Sequence, residues 1–335
     1  MSAILLSAML TAFVTSLGVT FLVMRARVLD MPGQRSLHAE PTPRGGGLGV
    51  VAAAGAAFLL ASFQPLPLEG GAALLAFVIV MAALGLCDDL FALPARVKFA
   101  VMALACLGFA ALAGKPEWIG ISADISTTLP VWIALPGAAL FLFVAVNASN
   151  FMDGSDGMLA AVLIPAGAGL AVAGMVVSAM PAVFAGLALA GGLGGFLVLN
   201  RPPAKVFAGD AGSLGAGALY AGGALMMAGE DFAGSLWLGP LFILPFLTDV
   251  LLTLAKRARG GRLSLNAHRE HAYQLLVSSG WSHGRVALVY AALTVFCVMA
   301  GLVAAQGPDG AVFGVFWCAV AVLSGLYALA HRRKA

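Results

Sequence analysis

Long apolar stretches separated by short polar ones run the length of the chain. Taking about 20 residues as the helix length that crosses a hydrocarbon core, eleven stretches qualify. They are 3–24, 47–63, 70–87, 98–113, 130–148, 158–178, 182–199, 213–229, 236–254, 284–305 and 311–330. The fourth is short, and only Ser178–Pro181 parts the sixth from the seventh, so ten spans is the alternative count. The first has no basic segment before it and no small-residue cleavage site, and reads as a retained span. None alternates as a barrel strand does. The pattern predicts an all-α polytopic membrane protein, one integral membrane domain over 1–335.

Composition agrees: 61% of the 335 residues are hydrophobic and 10% charged, against about 25% charged in soluble domains. Such a chain cannot present a soluble surface. Its many Gly and Ala residues suit close helix packing in lipid. Cys87, Cys106, Cys297 and Cys318 lie in or beside apolar runs, spaced for neither a metal nor a disulfide framework, and read as small buried hydrophobes.

Charge sorts the connections by side. With the amino terminus periplasmic, loops 25–46, 88–97, 149–157, 200–212, 255–283 and the tail 331–335 are cytoplasmic. That face then carries 17 of the 18 Lys and Arg residues, all but Lys115, together with nine of the 15 acids and all five His. This is the positive-inside pattern. It predicts that the chemistry of the chain meets at one membrane surface.

Five polar clusters reach that surface. Asn147–Gly157 (NASNFMDGSDG) presents Asn147, Asn150, Asp153 and Asp156 between two apolar runs. A three-residue repeat drifts about 60° per step around an α-helix, so all four converge only if the helix tightens or breaks, as Gly154 and Gly157 permit. Amides and carboxylates suit a sugar, a nucleobase or a metal's water shell; an Asx-rich turn is the plain alternative. Asp88 and Asp89 end the third stretch, where the helix dipole does not favour anions. Paired like charges there make sense around Mg²⁺ or a shared proton, with a solvated helix end as the alternative. In Phe207–Ser213 (FAGDAGS), glycines flanking Asp210 let backbone N–H groups approach a phosphate at a helix N-terminus, and Asp210 is a candidate Mg²⁺ ligand.

The longest connection, Lys256–His283, is basic. Lys256–Arg262 suits anionic lipid. His268, Arg269 and His271 suit phosphate oxygens, and their spacing does not define a zinc site. Asp249 lies about 7 Å inside the end of its span, where a carboxylate faces protein or water. The first loop carries Arg35, His38 and PTPRGGG at Pro41–Gly47. Arg44 there either binds a lipid phosphate or braces the site, unless Pro and Gly merely shape the return.

In this order, DD at Asp88–Asp89, NxxNxxDGxDG at Asn147–Gly157, FxGDxGS at Phe207–Ser213 and the basic histidine loop resemble the polyprenyl-phosphate N-acetylhexosamine-1-phosphate transferases. That family includes the phospho-muramoyl-pentapeptide translocase. The loop NAHREHAYQ is closer to the branch initiating O-antigen or other surface polysaccharides. The resemblance implies transfer of a sugar 1-phosphate from a UDP-N-acetylhexosamine (UDP-GlcNAc, UDP-FucNAc or UDP-QuiNAc) to undecaprenyl phosphate, releasing UMP at the cytoplasmic face of the bacterial inner membrane. It implies Mg²⁺, with Mn²⁺ as a substitute, on Asp210 and Asp88. Those two with Asp89, Asp153, Asp156, His268, Arg269 and His271 would be catalytic, and Asn147, Asn150, Phe207 and Arg44 would contact the substrates. Partners would be the two substrates and the bilayer, with a homodimer expected at family level and no nucleic acid. A secondary transporter or a nonenzymatic lipid-binding protein is the competing class. Transporters, however, place their binding groups near the membrane midplane.

Overall fold

The computed structural model describes residues 1–26, 29–30, 41–114, 116–122, 124–228, 234–261 and 269–332. Arg35, His38, Lys115, Arg262 and His268 lie outside the described residues. All eleven apolar stretches are helical. In chain order the larger helices are α1 (Ser2–Ala26), α2 (Leu48–Ser62), α3 (Gly71–Phe91), α4 (Ala95–Ala113), α5 (Val131–Met152), α6 (Met158–Val176), α7 (Met180–Asn200) and α8 (Gly209–Met227). They continue as α9 (Ser235–Phe242), α10 (Leu244–Arg259), the short α11 (Ala272–Ser278), α12 (His283–Ala304) and α13 (Ala311–Arg332). Two antiparallel hairpins complete the described elements: β1 (Leu29–Asp30) with β2 (Thr42–Pro43), and β3 (Trp118–Gly120) with β4 (Ser126–Thr128).

By length and composition eight helices can cross a membrane, or nine if α9 and α10, bent by 74° at their junction, form one broken span. The protein is therefore a polytopic helical membrane protein. The two remaining apolar stretches depart from a simple span for visible reasons. Helix α2 has only 15 residues. Helix α8 is rich in Gly and Ala and buried along almost its whole length. It touches α2, α3, α4, α5, α6, α7 and α9, so its surface meets other helices and it needs small side chains more than lipid-soluble ones. Around this hub the outer helices turn large apolar side chains outward, among them Leu10, Val14, Ile79, Leu104, Trp132, Leu288, Phe296 and Trp317. On a water-soluble protein such a surface would drive aggregation; against acyl chains it is the correct one.

The bundle is asymmetric from end to end. At one end β3–β4 is tied down by the Trp237 indole N–H, which donates to the Gly120 carbonyl at 2.8 Å. The other end is knitted by backbone. Phe207 N–H donates to Pro43 O at 2.8 Å, Gly46 N–H to Phe207 O at 2.9 Å and Gly47 N–H to Ala208 O at 3.0 Å. These bonds clamp the PTPRGGG segment to the start of α8, and Asp89 and Asp210 lie beside them.

Candidate active site

Asp88 and Asp89 occupy the last turn of α3, and the chain then folds back into α4. Leu93 N–H donates to Asp88 Oδ1 at 2.8 Å. Near the start of α4, Lys98 Nζ donates to Asp88 Oδ2 at 2.8 Å and also to Asp210 Oδ2. Its side chain is 11% exposed, so one ammonium group bridges two carboxylates with little water around it. Asp89 faces the other way. Its Oδ2 accepts the Ala211 N–H at 3.3 Å, at the positive end of α8. Arg44 lies 3.6 Å from Asp89 Oδ1 and donates to the Asp89 carbonyl. Arg44 thus braces Asp89.

The start of α8 is held to α3 by the absence of side chains. Gly209 has φ +73°, the left-handed region, and a Cβ there would come within 2.8 Å of Asp89 Oδ2. A Cβ on Gly85 would overlap the Asp210 and Ala211 backbone. The two glycines let α3 and α8 close until Asp88, Asp89 and Asp210 share one space. From α5, Asn150 Nδ2 donates to Asp210 Oδ1 at 3.1 Å and to Ser213 Oγ at 2.9 Å.

Asp153 caps the C-terminus of α5. It is half-buried, and its carboxylate has no hydrogen-bond partner among the described residues. Burial, then the neighbouring charges of Asp210 and Asp89, hold its carboxyl well above the usual aspartate range. Asp153 therefore faces Asp210, one of the two carboxylates that Lys98 bridges, together with Asp89, without a cation of its own.

The remaining predicted residues divide. Asn147 stands apart from the acid cluster. Its amide donates to Phe143 O at 2.8 Å and Met102 Sδ at 2.9 Å, and it is 5% exposed. It hydrogen-bonds none of the carboxylates. Helix α5 runs unbroken through Met152, so Asn147 and Asn150 point apart by the 60° that the spacing dictates. The break comes only at Asp153. Asp156 secures the connection between α7 and α8: its Oδ2 accepts the Ala204 N–H at 3.0 Å, while His283 Nδ1 lies 3.8 Å from its Oδ1. Phe207 is half-buried at the clamp, and Arg269 is half-buried just before α11. His271, 4% exposed, is the N-cap of α11, with Nδ1 3.4 Å from Asp249 Oδ1 and its ring 6.3 Å from that of Phe151.

Three contributors escape the motif reading. Lys98 carries a signal in retrospect: it is a lone cation at the start of an apolar stretch, ten residues after an acidic pair. Asn200 accepts the Gly157 N–H at 2.9 Å and donates to Val206 O at 2.8 Å, joining the acidic turn to the α8 approach. His283 Nδ1 meets Ser155 Oγ at 2.9 Å. Neither of these two has a local sequence signature.

Among the described residues no three His, Cys, Asp or Glu side chains converge as a ready-made metal cage. The donor set is nonetheless all oxygen, with Asp153 unsatisfied, which fits a hard cation that takes its other ligands from water and phosphate. A cluster of carboxylates neutralised by one Lys and one Arg, beside helix N-terminal N–H groups, can accommodate a polyanion bound through a cation.

Residues 72–228 match the model of glycosyl transferase family 4. That segment runs from α3 to just beyond α8 and contains Asp88, Asp89, Lys98, Asn150, Asp153 and Asp210. A decaprenyl-phosphate N-acetylglucosaminephosphotransferase of Mycolicibacterium smegmatis is 31% identical over 316 residues, covering 85% of this chain and 77% of that protein. A phospho-N-acetylmuramoyl-pentapeptide-transferase of Moorella thermoacetica is 32% identical over 233 residues, 66% of this chain and 72% of the relative. A probable undecaprenyl-phosphate N-acetylglucosaminyl 1-phosphate transferase of Bacillus subtilis is 28% identical over 301 residues, 84% and 80%. The chain is a membrane-embedded member of glycosyl transferase family 4.

Proposed function

We propose that the protein transfers N-acetylglucosamine 1-phosphate from UDP-GlcNAc to a polyprenyl phosphate, undecaprenyl phosphate in a typical bacterium. The products are polyprenyl-diphospho-sugar and UMP. The observation that carries this reading is the meeting of Asp88, Asp89, Lys98, Asn150, Asp153 and Asp210 at one end of an apolar bundle. A lipid phosphate held in the bilayer and a water-soluble nucleotide can both reach such a place. Two of the relatives above bear N-acetylglucosamine in their names, which favours that sugar over UDP-FucNAc or UDP-QuiNAc. The reaction would open synthesis of a surface polysaccharide, O-antigen among them, with the amino terminus periplasmic and the site facing the cytoplasm.

In this reading a lipid phosphate oxygen attacks the β-phosphorus of the donor. The bond from that phosphorus to the bridging oxygen breaks, and UMP departs with the electron pair. A phosphate monoester is largely ionised near neutral pH, so little proton transfer is demanded. Positioning and charge neutralisation do most of the catalysis. The Lys98 ammonium, shared between Asp88 and Asp210, would be drawn towards incoming phosphate oxygens. Asn150 keeps Asp210 in one orientation, and Asp89 is held by Arg44 and the α8 N-terminus. Asp210 with Asp88, joined by Asp153, would hold Mg²⁺ or Mn²⁺, which when bound would neutralise diphosphate charge. A double displacement through an aspartyl-phosphate is the mechanistic alternative.

The test is UMP release by purified protein in lipid, with Mg²⁺, polyprenyl phosphate and one UDP-sugar at a time, beside Asp210→Asn. Metal- and acceptor-dependent release, lost in the variant, is the expected result. Release without lipid phosphate would make the protein a hydrolase. No turnover on any donor, despite lipid and nucleotide binding, would favour a carrier or binding protein.

A further inference from the structure

We propose that Asp249 is a positioning residue for the donor, acting through α11 on the turn that carries Asp153. The inference rests on the transferase reading. Asp249 lies in α10, 2% exposed, and its hydrogen bonds come from three elements. Tyr290 of α12 donates its hydroxyl to Oδ2 at 2.6 Å. The Ala272 and Tyr273 N–H groups, at the start of α11, donate at 2.7 and 3.2 Å. Thr253 Oγ1 donates from the next turn of α10 at 3.3 Å. A buried carboxylate with this many donors is stable where it is.

What Asp249 holds is the consequential part. Helix α11 has seven residues, too few to keep a direction of its own; its anchors set it. One residue into α11, the Tyr273 hydroxyl donates to Phe151 O at 3.2 Å, in the last turn of α5. The same hydroxyl packs on Gly154, where a Cβ would collide with it. A continuous path thus runs from Asp249 through the start of α11 and the Tyr273 ring to the backbone on either side of Asp153. A second tether fixes the residues just before α11. Arg257 pairs with Glu270 at 2.5 Å, and His331 Nε2 meets Glu270 O at 3.2 Å. Tyr327 of α13 bonds Thr253 at 3.1 Å, so α13 braces the same node. His271 is held between these two tethers, and Arg269 directly precedes Glu270. Loosening the node would move the basic segment and Asp153 together, and leave the Asp88–Lys98–Asp210 bridge untouched.

A node that merely stabilised the fold would lower melting temperature and active fraction alike for both substrates. A positioning role predicts a split instead. In the UMP-release assay, Asp249→Asn should raise KM for UDP-GlcNAc about tenfold or more, and Tyr290→Phe about threefold, with KM for polyprenyl phosphate unchanged. Tyr290→Phe should melt within about 3 °C of the parent, being one hydroxyl smaller. If Asp249→Asn does not fold, Tyr290→Phe decides alone. Unchanged donor KM in the folded variants, or equal shifts for both substrates, would overturn the inference. Absence of turnover in the parent protein on every donor would remove the transferase reading and this inference with it.

Discussion

Asp249 accepts hydrogen bonds from Tyr290, Ala272, Tyr273 and Thr253, and its charge is spent inside the protein. Asp153 accepts none from the described residues and faces two further carboxylates. Both are aspartates at the polar end of the same bundle. Folding alone selects for the first arrangement, because a buried charge is tolerated when donors surround it. The second is costly for the apo fold, and crowded like charges of this kind are what a bound cation would relieve. The difference separates carboxylates that hold the scaffold from those left free for chemistry.

Lys98 is where the comparison is most easily broken. Its ammonium is the main neutralising charge between Asp88 and Asp210. Lys98→Met should reduce turnover by a factor on the order of 10³. It should also cost about 3 kcal/mol of stability, since removing one partner of a buried pair strands the other charges. UMP release and thermal melting in detergent read the two effects. Turnover near the parental level would show that Lys98 only stabilises the fold, placing it with Asp249 rather than with the reacting groups.

Asp153 sharpens the contrast through pH. The ordinary aspartate value is 3.8, and the folded chain holds the Asp153 proton well above it. The unfolded chain therefore releases this proton first as pH rises. The contribution of Asp153 is fully present below 3.8 and is lost as pH climbs through the folded value. Melting temperature in chelator should accordingly fall as pH rises above the ordinary aspartate value of 3.8, and Asp153→Asn should flatten that fall while lowering turnover about a hundredfold. Parallel melting curves for the two proteins would mean that Asp153 is not under electrostatic strain.

Much of this was legible in the chain. The apolar stretches located every large helix, because helix length and lipid burial leave a strong imprint on sequence. Local motifs found Asp88, Asp89, Asn150, Asp153 and Asp210, since each sits beside glycines or another polar group that marks it. Lys98 was missed because its partners are ten and 112 residues away, and a single Lys at the start of a span reads as an interfacial anchor. Asn200 and His283 act on backbone and side chains that only the folded bundle brings near. The count of membrane-crossing helices is blurred at α8, whose burial on all sides replaces large apolar residues with small ones.

Asn147 and Asn150 offer the finest test, for they share a motif, a residue type and a helix. Periodicity alone could not say whether α5 would break between them. The helix continues, so Asn150 reaches Asp210 and Ser213 while Asn147 turns to Phe143 and Met102. Asn150→Ala should free the Asp210 carboxylate to rotate and lower kcat about tenfold, with the melting temperature little changed. Asn147→Ala removes a buried amide that already leaves its own Oδ1 without a partner, so the desolvation it relieves offsets the bond it loses. Turnover there should stay within about threefold of the parent. The reverse order, with Asn147 the more damaging position, would mean that α5 tightens or unwinds when substrate binds. The four polar residues of that turn would then converge in the complex as they do not in the free protein.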